Sequence, residues 1–334
     1  MTNIFEKNNH FEENKDVASV LKYGSVNDCP APEVSIIIPC YKRPNTFRES
    51  LFSAIHQSFQ GPYEIVVVDN YDGEGESPNF SIVKELSSKN VLYYHNEKNL
   101  GMYGNWNRGI ELVRSDYFTF CHDDDILLPD CLSQLLRVQK YNGNKLILSS
   151  SNTINEEGLV IDEYGYPHIK RHFFKEKEWY DYTLYNQFIQ SMGFGVGCLF
   201  NKECMMEIGG YNKEYYPSAD YALHSCYTYY YGCVINSVPT FCYRRAYNES
   251  FTIWRSFAEM DKQFRFFMIE KINFNKNILR QIIRSNYRLS KNIFAEIWGT
   301  EEDIVSECTK RDKMIMSIAS LSNRYKKYSF VGCH

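Results

Sequence analysis

The chain has 334 residues, 44% of them hydrophobic, with 37 Lys and Arg set against 41 Asp and Glu for a net charge of -4. That is enough apolar matter for one large core, or a main domain with a helical appendage, and it argues against two separate large domains. So slight an acidic balance excludes the charge signature of a nucleic-acid partner.

Met1 to Asn27 is polar and acidic, without the basic and apolar regions of a secretory signal, and residues 1–33 read as a leader that closes on Cys29-Pro30-Ala31-Pro32. Val34 to Pro39 is a short apolar run bounded by prolines, the pattern of a buried parallel strand. A helix follows over 45–59, with Phe47, Leu51, Ile55 and Phe59 on one face. Glu64 to Val68 is a second strand, Ser81 to Ser88 a short helix, Val91 to Tyr94 a third strand and Trp106 to Val113 a helix. Asp116 to Cys121 is a fourth strand, running straight into acidic residues. This alternation implies right-handed βαβ crossovers and a mainly parallel sheet, whose ligands sit at the carboxyl ends of the strands.

A helix is expected from Pro129 to Tyr141, a strand over 146–150 and a turn between strands at Asn155 to Gly158. Residues 160–192 are crowded with aromatic and charged side chains and read as loop or short helices. Further expectations are a strand over 196–200, a helix over 220–231 and two strands, near 233–238 and 241–245. Beyond Ser256 the pattern is helical, with Phe264, Phe267, Met268 and Ile272 on one face. Arg280, Arg284, Arg288 and Lys291 form a basic stripe, a solvated face or a contact with an anionic membrane surface. No stretch reaches the roughly 20 apolar residues of a membrane span, so any membrane contact is peripheral. The 11 cysteines include no C-x-x-C pair, and Cys40, Cys121 and Cys198 lie in apolar runs, which fits a reducing, cytoplasmic setting. The 27 Tyr and 22 Phe suit the apolar faces of sugar rings, although an AT-rich codon bias gives the same composition.

His122-Asp123-Asp124-Asp125 is the strongest constellation. Three adjacent carboxylates at the end of a buried strand repel one another unless a cation neutralises them, and a hard divalent ion takes oxygen ligands while keeping positions open for a diphosphate. A helix N-cap is the other reading, for which one aspartate would suffice. Asp220, at the start of the helix after Pro217-Ser218-Ala219, is open to the same choice between a cap and a catalytic base. Gly193-Phe194-Gly195-Val196-Gly197 lets backbone approach a ligand but lacks the strand-to-helix setting of a dinucleotide fold.

Val34 to Arg43, Glu64 to Asn70, Asn99-Leu100-Gly101 with Asn105-x-x-x-Gly109, and His122 to Asp125 together resemble family 2 glycosyltransferases in order and spacing over residues 33 to 250. The resemblance implies an α/β fold of the GT-A type: a nucleotide-binding half over 34–128, an acceptor half over 129–255 and a helical extension over 256–334. It sets Pro39, Tyr41 and Arg43 around the nucleotide and Asp69 or Asn70 on the base. Asn99, Gly101, Asn105 and Asp123 would lie near the nucleotide sugar, Asp124 on the metal, and Asp220 would be the base. Many relatives carry Asp where this chain has His122, which leaves two roles for His122, a ligand contact or a polar strand end. Arg244 or Arg245 would stabilise the leaving group or form a structural ion pair; Ala246 and Tyr247 stand where relatives often carry His.

The implied reaction is an inverting, Mn²⁺- or Mg²⁺-dependent transfer of one sugar from a nucleoside-diphosphate sugar to a saccharide or lipid-linked acceptor, in surface or cell-wall polysaccharide synthesis. The Q-x-x-R-W signature of processive relatives is absent. A nucleotidyltransferase is the rival enzyme, against which Cys40 to Pro44 lacks a glycine-rich triphosphate loop, and a non-catalytic carbohydrate-binding protein is the rival of another class.

Overall fold

The computed structural model describes residues 1–166, 178–191, 195–245, 250–298 and 308–325. In chain order the first elements are β1 (Ser19–Tyr23), β2 (Val34–Cys40), α1 (Pro44–Ile55), β3 (Tyr63–Asp69), α2 (Pro78–Leu86), β4 (Val91–Asn96), α3 (Gly101–Leu112) and β5 (Tyr117–Phe120). Then come β6 (Ile126–Leu127), α4 (Cys131–Asn142), β7 (Leu146–Ile154), β8 (Val160–Tyr166), β9 (Trp179–Asp181), α5 (Leu184–Ile189), β10 (Phe200–Asn201) and α6 (Lys202–Ile208). The described chain finishes with α7 (Ala219–Tyr231), β11 (Cys233–Arg244), α8 (Ser250–Met268), α9 (Lys276–Trp298) and α10 (Lys310–Tyr325).

Two sheets carry these elements. The larger has the order β1-β4-β3-β2-β5-β10, with β4, β3, β2 and β5 parallel and the two edges antiparallel. The smaller has the order β6-β11-β7-β8, with β9 on β11, and only its β11–β7 pair is parallel. Every residue of β2 is buried, as an apolar run without alternation requires of a strand covered on both faces. Ile37, Val66 and Val68 face one core with Trp106 and Ile110 of α3, while Ile36, Ile38, Ile65 and Val67 face the other with Phe47 and Leu51 of α1. A β-carbon on Gly109 would collide with Ile37, so that glycine lets α3 lie close on β2.

Residues 1–33, set apart above as a leader, pack into this unit. β1 extends the sheet beyond β4, Ile4, Phe5 and Phe11 are core residues, and Arg108 of α3 reaches the Asn14 and Val17 carbonyls at 2.9 and 2.8 Å. The strand carries little sequence signal because β1 is a short edge whose central residues, Val20, Leu21 and Lys22, are all exposed and show no alternation. The stretch expected as a strand over 196–200 is instead two isolated bridges followed by β10, since Gly197 turns the chain with φ +61°. The two strands expected near 233–238 and 241–245 are the single β11; Pro239 has no N–H for the ladder and is absorbed as a register shift. Within 160–192, β8, β9 and α5 are formed.

The helices after Ser256 dock on the rest. Phe264 packs its ring against Tyr215 and Tyr221, Arg265 donates to the Phe188 carbonyl at 2.8 Å, and Asn286 donates to the Ile189 carbonyl at 2.7 Å. In the basic stripe, Arg288 holds Asp312 of α10 at 2.9 Å while Arg280 and Arg284 are exposed. Among the described residues no helix is long and apolar enough to cross a membrane, and the ten described cysteines are free thiols, nine of them buried.

Candidate active site

The carboxyl ends of β2, β3 and β5 open side by side. Lys42, just past β2, has φ 53°, a left-handed backbone uncommon for a side chain with a β-carbon. At this turn the Tyr41 N–H donates to Asp123 Oδ2 at 3.1 Å, and Arg43 Nη1 lies 2.6 Å from Asp124 Oδ2 and 3.5 Å from Asp123 Oδ1. Asp72, which sequence reasoning passed over, gathers the opposite wall: it accepts from Tyr41 Oη at 3.1 Å, Lys42 Nζ at 2.6 Å and Asn99 Nδ2 at 3.2 Å. Its position just beyond β3 is the one signal that could have exposed it. The Lys42 ammonium and the Asn99 amide hold its carboxyl down at about 2. Thus Tyr41, Arg43, Asn99, Asp123 and Asp124 come together at one mouth, with buried Pro39 on β2 behind them.

Asp69, Asn70 and Asn105 lie beneath that mouth. Asp69 is fully buried and accepts from Ser77, Tyr93 and the Tyr71 N–H. Asn96 bridges the Asn70 and Asn105 side-chain oxygens at 2.8 and 2.9 Å; Asn70 donates to the Gly101 carbonyl and Asn105 to that of Val68. These contacts tie the ends of β3 and β4 to the start of α3.

The resemblance sets the Arg244 guanidinium on the donor or leaving group; in the structure it is 2% exposed and engaged by protein groups. Nε donates to the Asp124 carbonyl at 2.8 Å, Nη1 to the Asn155 and Glu156 carbonyls at 3.2 and 2.8 Å, and Nη2 pairs with Glu49 at 2.5 Å. Its backbone N–H donates to Asp125 Oδ1 at 2.9 Å. Arg244 therefore braces the acidic turn. Ala246, Tyr247 and Asn248, like Gly193 and Phe194, lie outside the described residues.

His122 stacks on Trp106, ring centroids 4.7 Å apart at 20°. Its Nδ1 stands 3.7 Å from Asp125 Oδ2, beyond hydrogen-bond range, and its Nε2 is shielded from water without a partner. Burial pushes the imidazole down to about 4, against the opposing pull of the Asp124 charge, so it is neutral at pH 7. Burial, followed by the Asp124 charge, raises both Asp123 and Asp125. A neutral imidazole and crowded carboxylates are the donor set that a divalent cation satisfies. Ligand atoms of His122, Asp124 and Asp125 all lie within 4.8 Å of one another. Asp124 thus falls in the set that could hold a metal, whereas Asp123 turns its carboxylate to Tyr41 and Arg43.

Asp220 lies in the first turn of α7, two residues after the cap position Ser218, whose own side chain makes no cap bond. The side chain is half-buried, its Oδ1 has no hydrogen-bond partner, and burial lifts its carboxyl to about 7 against the opposing effect of the Tyr211 hydroxyl. The aromatic cluster of Phe120, Trp106 and Tyr211 joins it to His122; Trp106 meets Tyr211 edge-on at 5.0 Å. Gly195 keeps this place open, since a β-carbon on it would stand 3.3 Å from the Tyr211 hydroxyl, 3.5 Å from the Phe120 ring and 3.9 Å from Asp220 Oδ1. Trp106 and Tyr211 carry no sequence signal for such a role. A cavity of about 390 Å³ lies beside Tyr211, with His10, Asn14, Gly101, Tyr103 and Tyr216 in its walls.

Comparison with known proteins bears on the fold and the family. The chain is 29% identical over 160 residues to an uncharacterized glycosyltransferase of Methanocaldococcus jannaschii, covering 45% of this chain and 54% of that one. It is 28% identical over 137 residues to the GalNAc(5)-diNAcBac-PP-undecaprenol beta-1,3-glucosyltransferase of Campylobacter jejuni, covering 40% and 42%. It therefore spans about half of these relatives' length or less. Crystal structures of residues 1–349 of S. aureus TarS share the fold: the UDP complex has a TM-score of 0.55 at 14% identity, covering 90% of this chain and 94% of that one, and the UDP-GlcNAc complex a TM-score of 0.54 at 15%. The model of glycosyl transferase family 2 matches residues 35–202, half of the chain, and takes in β2, β3, the start of α3 and the acidic turn; the chain belongs to that family.

Proposed function

We propose that the protein is a metal-dependent, inverting glycosyltransferase that moves one sugar from a nucleoside-diphosphate sugar to a hydroxyl of a saccharide or lipid-linked acceptor. The observation that carries this reading is the Asp220 carboxylate, shielded, with an unpartnered oxygen and lifted to about 7, set across one aromatic cluster from the His122 to Asp125 turn. A base works best with a pKa near the operating pH. Asp220 accepts the proton of the acceptor hydroxyl as its oxygen attacks the anomeric carbon from the face opposite the leaving group, and inversion results. Tyr41, whose ring is 39% exposed, flanks the nucleoside; Asn99 and Asp123 orient it, and Arg43 meets the diphosphate. His122, Asp124 and Asp125 would hold the divalent cation, which when bound neutralises charge on the departing diphosphate.

The ligands of the TarS complexes make UDP and UDP-GlcNAc the first probes, and the undecaprenol-linked substrate of the Campylobacter relative makes a polyprenyl-linked saccharide the first acceptor. The work of such an enzyme belongs to the assembly of a surface polysaccharide at the cytoplasmic face of a membrane. A panel of nucleotide sugars, run with Mn²⁺, Mg²⁺ and chelator, tests the reading by release of nucleoside diphosphate and by NMR of the anomeric product. One donor turned over with inversion and stopped by chelator is the expected result. Retention, or turnover indifferent to chelator, overturns the mechanism, and binding of a sugar without turnover of any donor favours the carbohydrate-binding alternative.

A further inference from the structure

We propose that His122 supplies a nitrogen ligand to the cation of the acidic turn, so that this chain prefers Mn²⁺, or a borderline ion such as Co²⁺ or Zn²⁺, to Mg²⁺. The inference rests on the metal-dependent reading above and goes beyond it to the selectivity of the site. Imidazole nitrogen suits borderline first-row ions such as Zn²⁺ and Co²⁺ best and Mn²⁺ less, whereas Mg²⁺ keeps to oxygen and to near-ideal octahedral geometry. With ligand bonds of about 2.1 Å, two ligands on opposite sides of one ion stand about 4.2 Å apart. Donor atoms of His122, Asp124 and Asp125 within 4.8 Å of one another therefore need only small side-chain movements to enclose it.

Nδ1 is the nitrogen that His122 turns to the carboxylates, 3.7 Å from Asp125 Oδ2, and stacking on Trp106 fixes the plane of the ring. The Arg244 N–H occupies Asp125 Oδ1, so Oδ2 is the oxygen turned to the imidazole. Arg43 sits on Asp124 Oδ2, but its side chain is 47% exposed and can swing away to release that oxygen.

The test uses the full chain with UDP present: electron spin-echo envelope modulation of bound Mn²⁺, and calorimetric titration with Mn²⁺, Co²⁺ and Mg²⁺, for the wild type, His122→Asp and His122→Phe. The expected wild-type signal carries imidazole ¹⁴N modulation, which both variants lose. Mn²⁺ and Co²⁺ affinity is expected to fall about tenfold or more in His122→Phe, and His122→Asp to narrow the gap between Mn²⁺ and Mg²⁺. Circular dichroism and melting identify a variant that has merely unfolded, and the ¹⁴N signal of the wild type decides the matter without any variant. Mn²⁺ bound without ¹⁴N modulation overturns the role of His122 and leaves the metal-dependent reading standing. Failure of every ion to bind overturns both.

Discussion

Asp220→Asn distinguishes a catalytic carboxylate from a helix cap, because Asn caps a helix as well as Asp does but cannot ionise. Burial moves the Asp220 carboxyl from its ordinary 3.8 to about 7, about three pH units; at 1.36 kcal/mol for each, ionising it inside the fold costs about 4 kcal/mol. The side chain is only half-buried, and water screens part of this, so about 2 kcal/mol is the working figure. From about pH 4 to about 7 the unfolded chain has released a proton that the folded chain still holds. The wild type therefore loses stability as pH rises through that window and loses no more above it. Melting both proteins from pH 4.5 to 8.5 should show the Tm of the variant gaining on that of the wild type by a few degrees up to about pH 7 and then holding level. In transfer assays, kcat/KM of the wild type should rise with pH to a plateau above about 7, and the variant should bind donor with kcat lowered about 10²- to 10⁴-fold. A Tm difference independent of pH, with transfer by the variant within a few-fold of the wild type, refutes both the perturbed carboxyl and its role.

Two further perturbations probe what surrounds the site. Arg244→Met leaves three carbonyls, those of Asp124, Asn155 and Glu156, without their donor; with part of each shortfall made up by water, a loss of about 2 to 4 kcal/mol in urea unfolding is expected. UDP and Mn²⁺ binding should weaken in parallel, and unchanged stability would refute the bracing role. Deleting residues 1–33 uncovers the β4 edge and removes Ile4, Phe5 and Phe11 from the core, roughly 5 kcal/mol or more of apolar burial. Aggregation or a markedly lower Tm is the expected outcome, and a monomer that melts with the full chain contradicts it.

The apolar runs of β2 and β3, the helical face of Phe47 and Leu51 and the acidic turn after β5 were legible in sequence, because each is a local pattern whose period or abruptness survives without its neighbours. The motif Asn105-x-x-x-Gly109 was visible too. Its meaning was not: Asn105 ties α3 to β3 and Gly109 admits Ile37, contacts made across the fold. Which polar atoms face a ligand and which face protein was decided in three dimensions. Arg244 and Arg43 are both arginines beside strand ends; one is buried on carbonyls supplied by distant segments, and the other reaches Asp124 from an open mouth. Asp220, an acid at a helix start in either reading, acquires its raised carboxyl only from burial in the fold, against the opposing effect of the Tyr211 hydroxyl. Sequence by itself therefore determined the family, the sheet and the position of its acidic turn, which local periodicity and motif spacing record. Only the tertiary structure decided the solvation and partners of each side chain, because burial is a property of what packs against a residue and not of the residue itself.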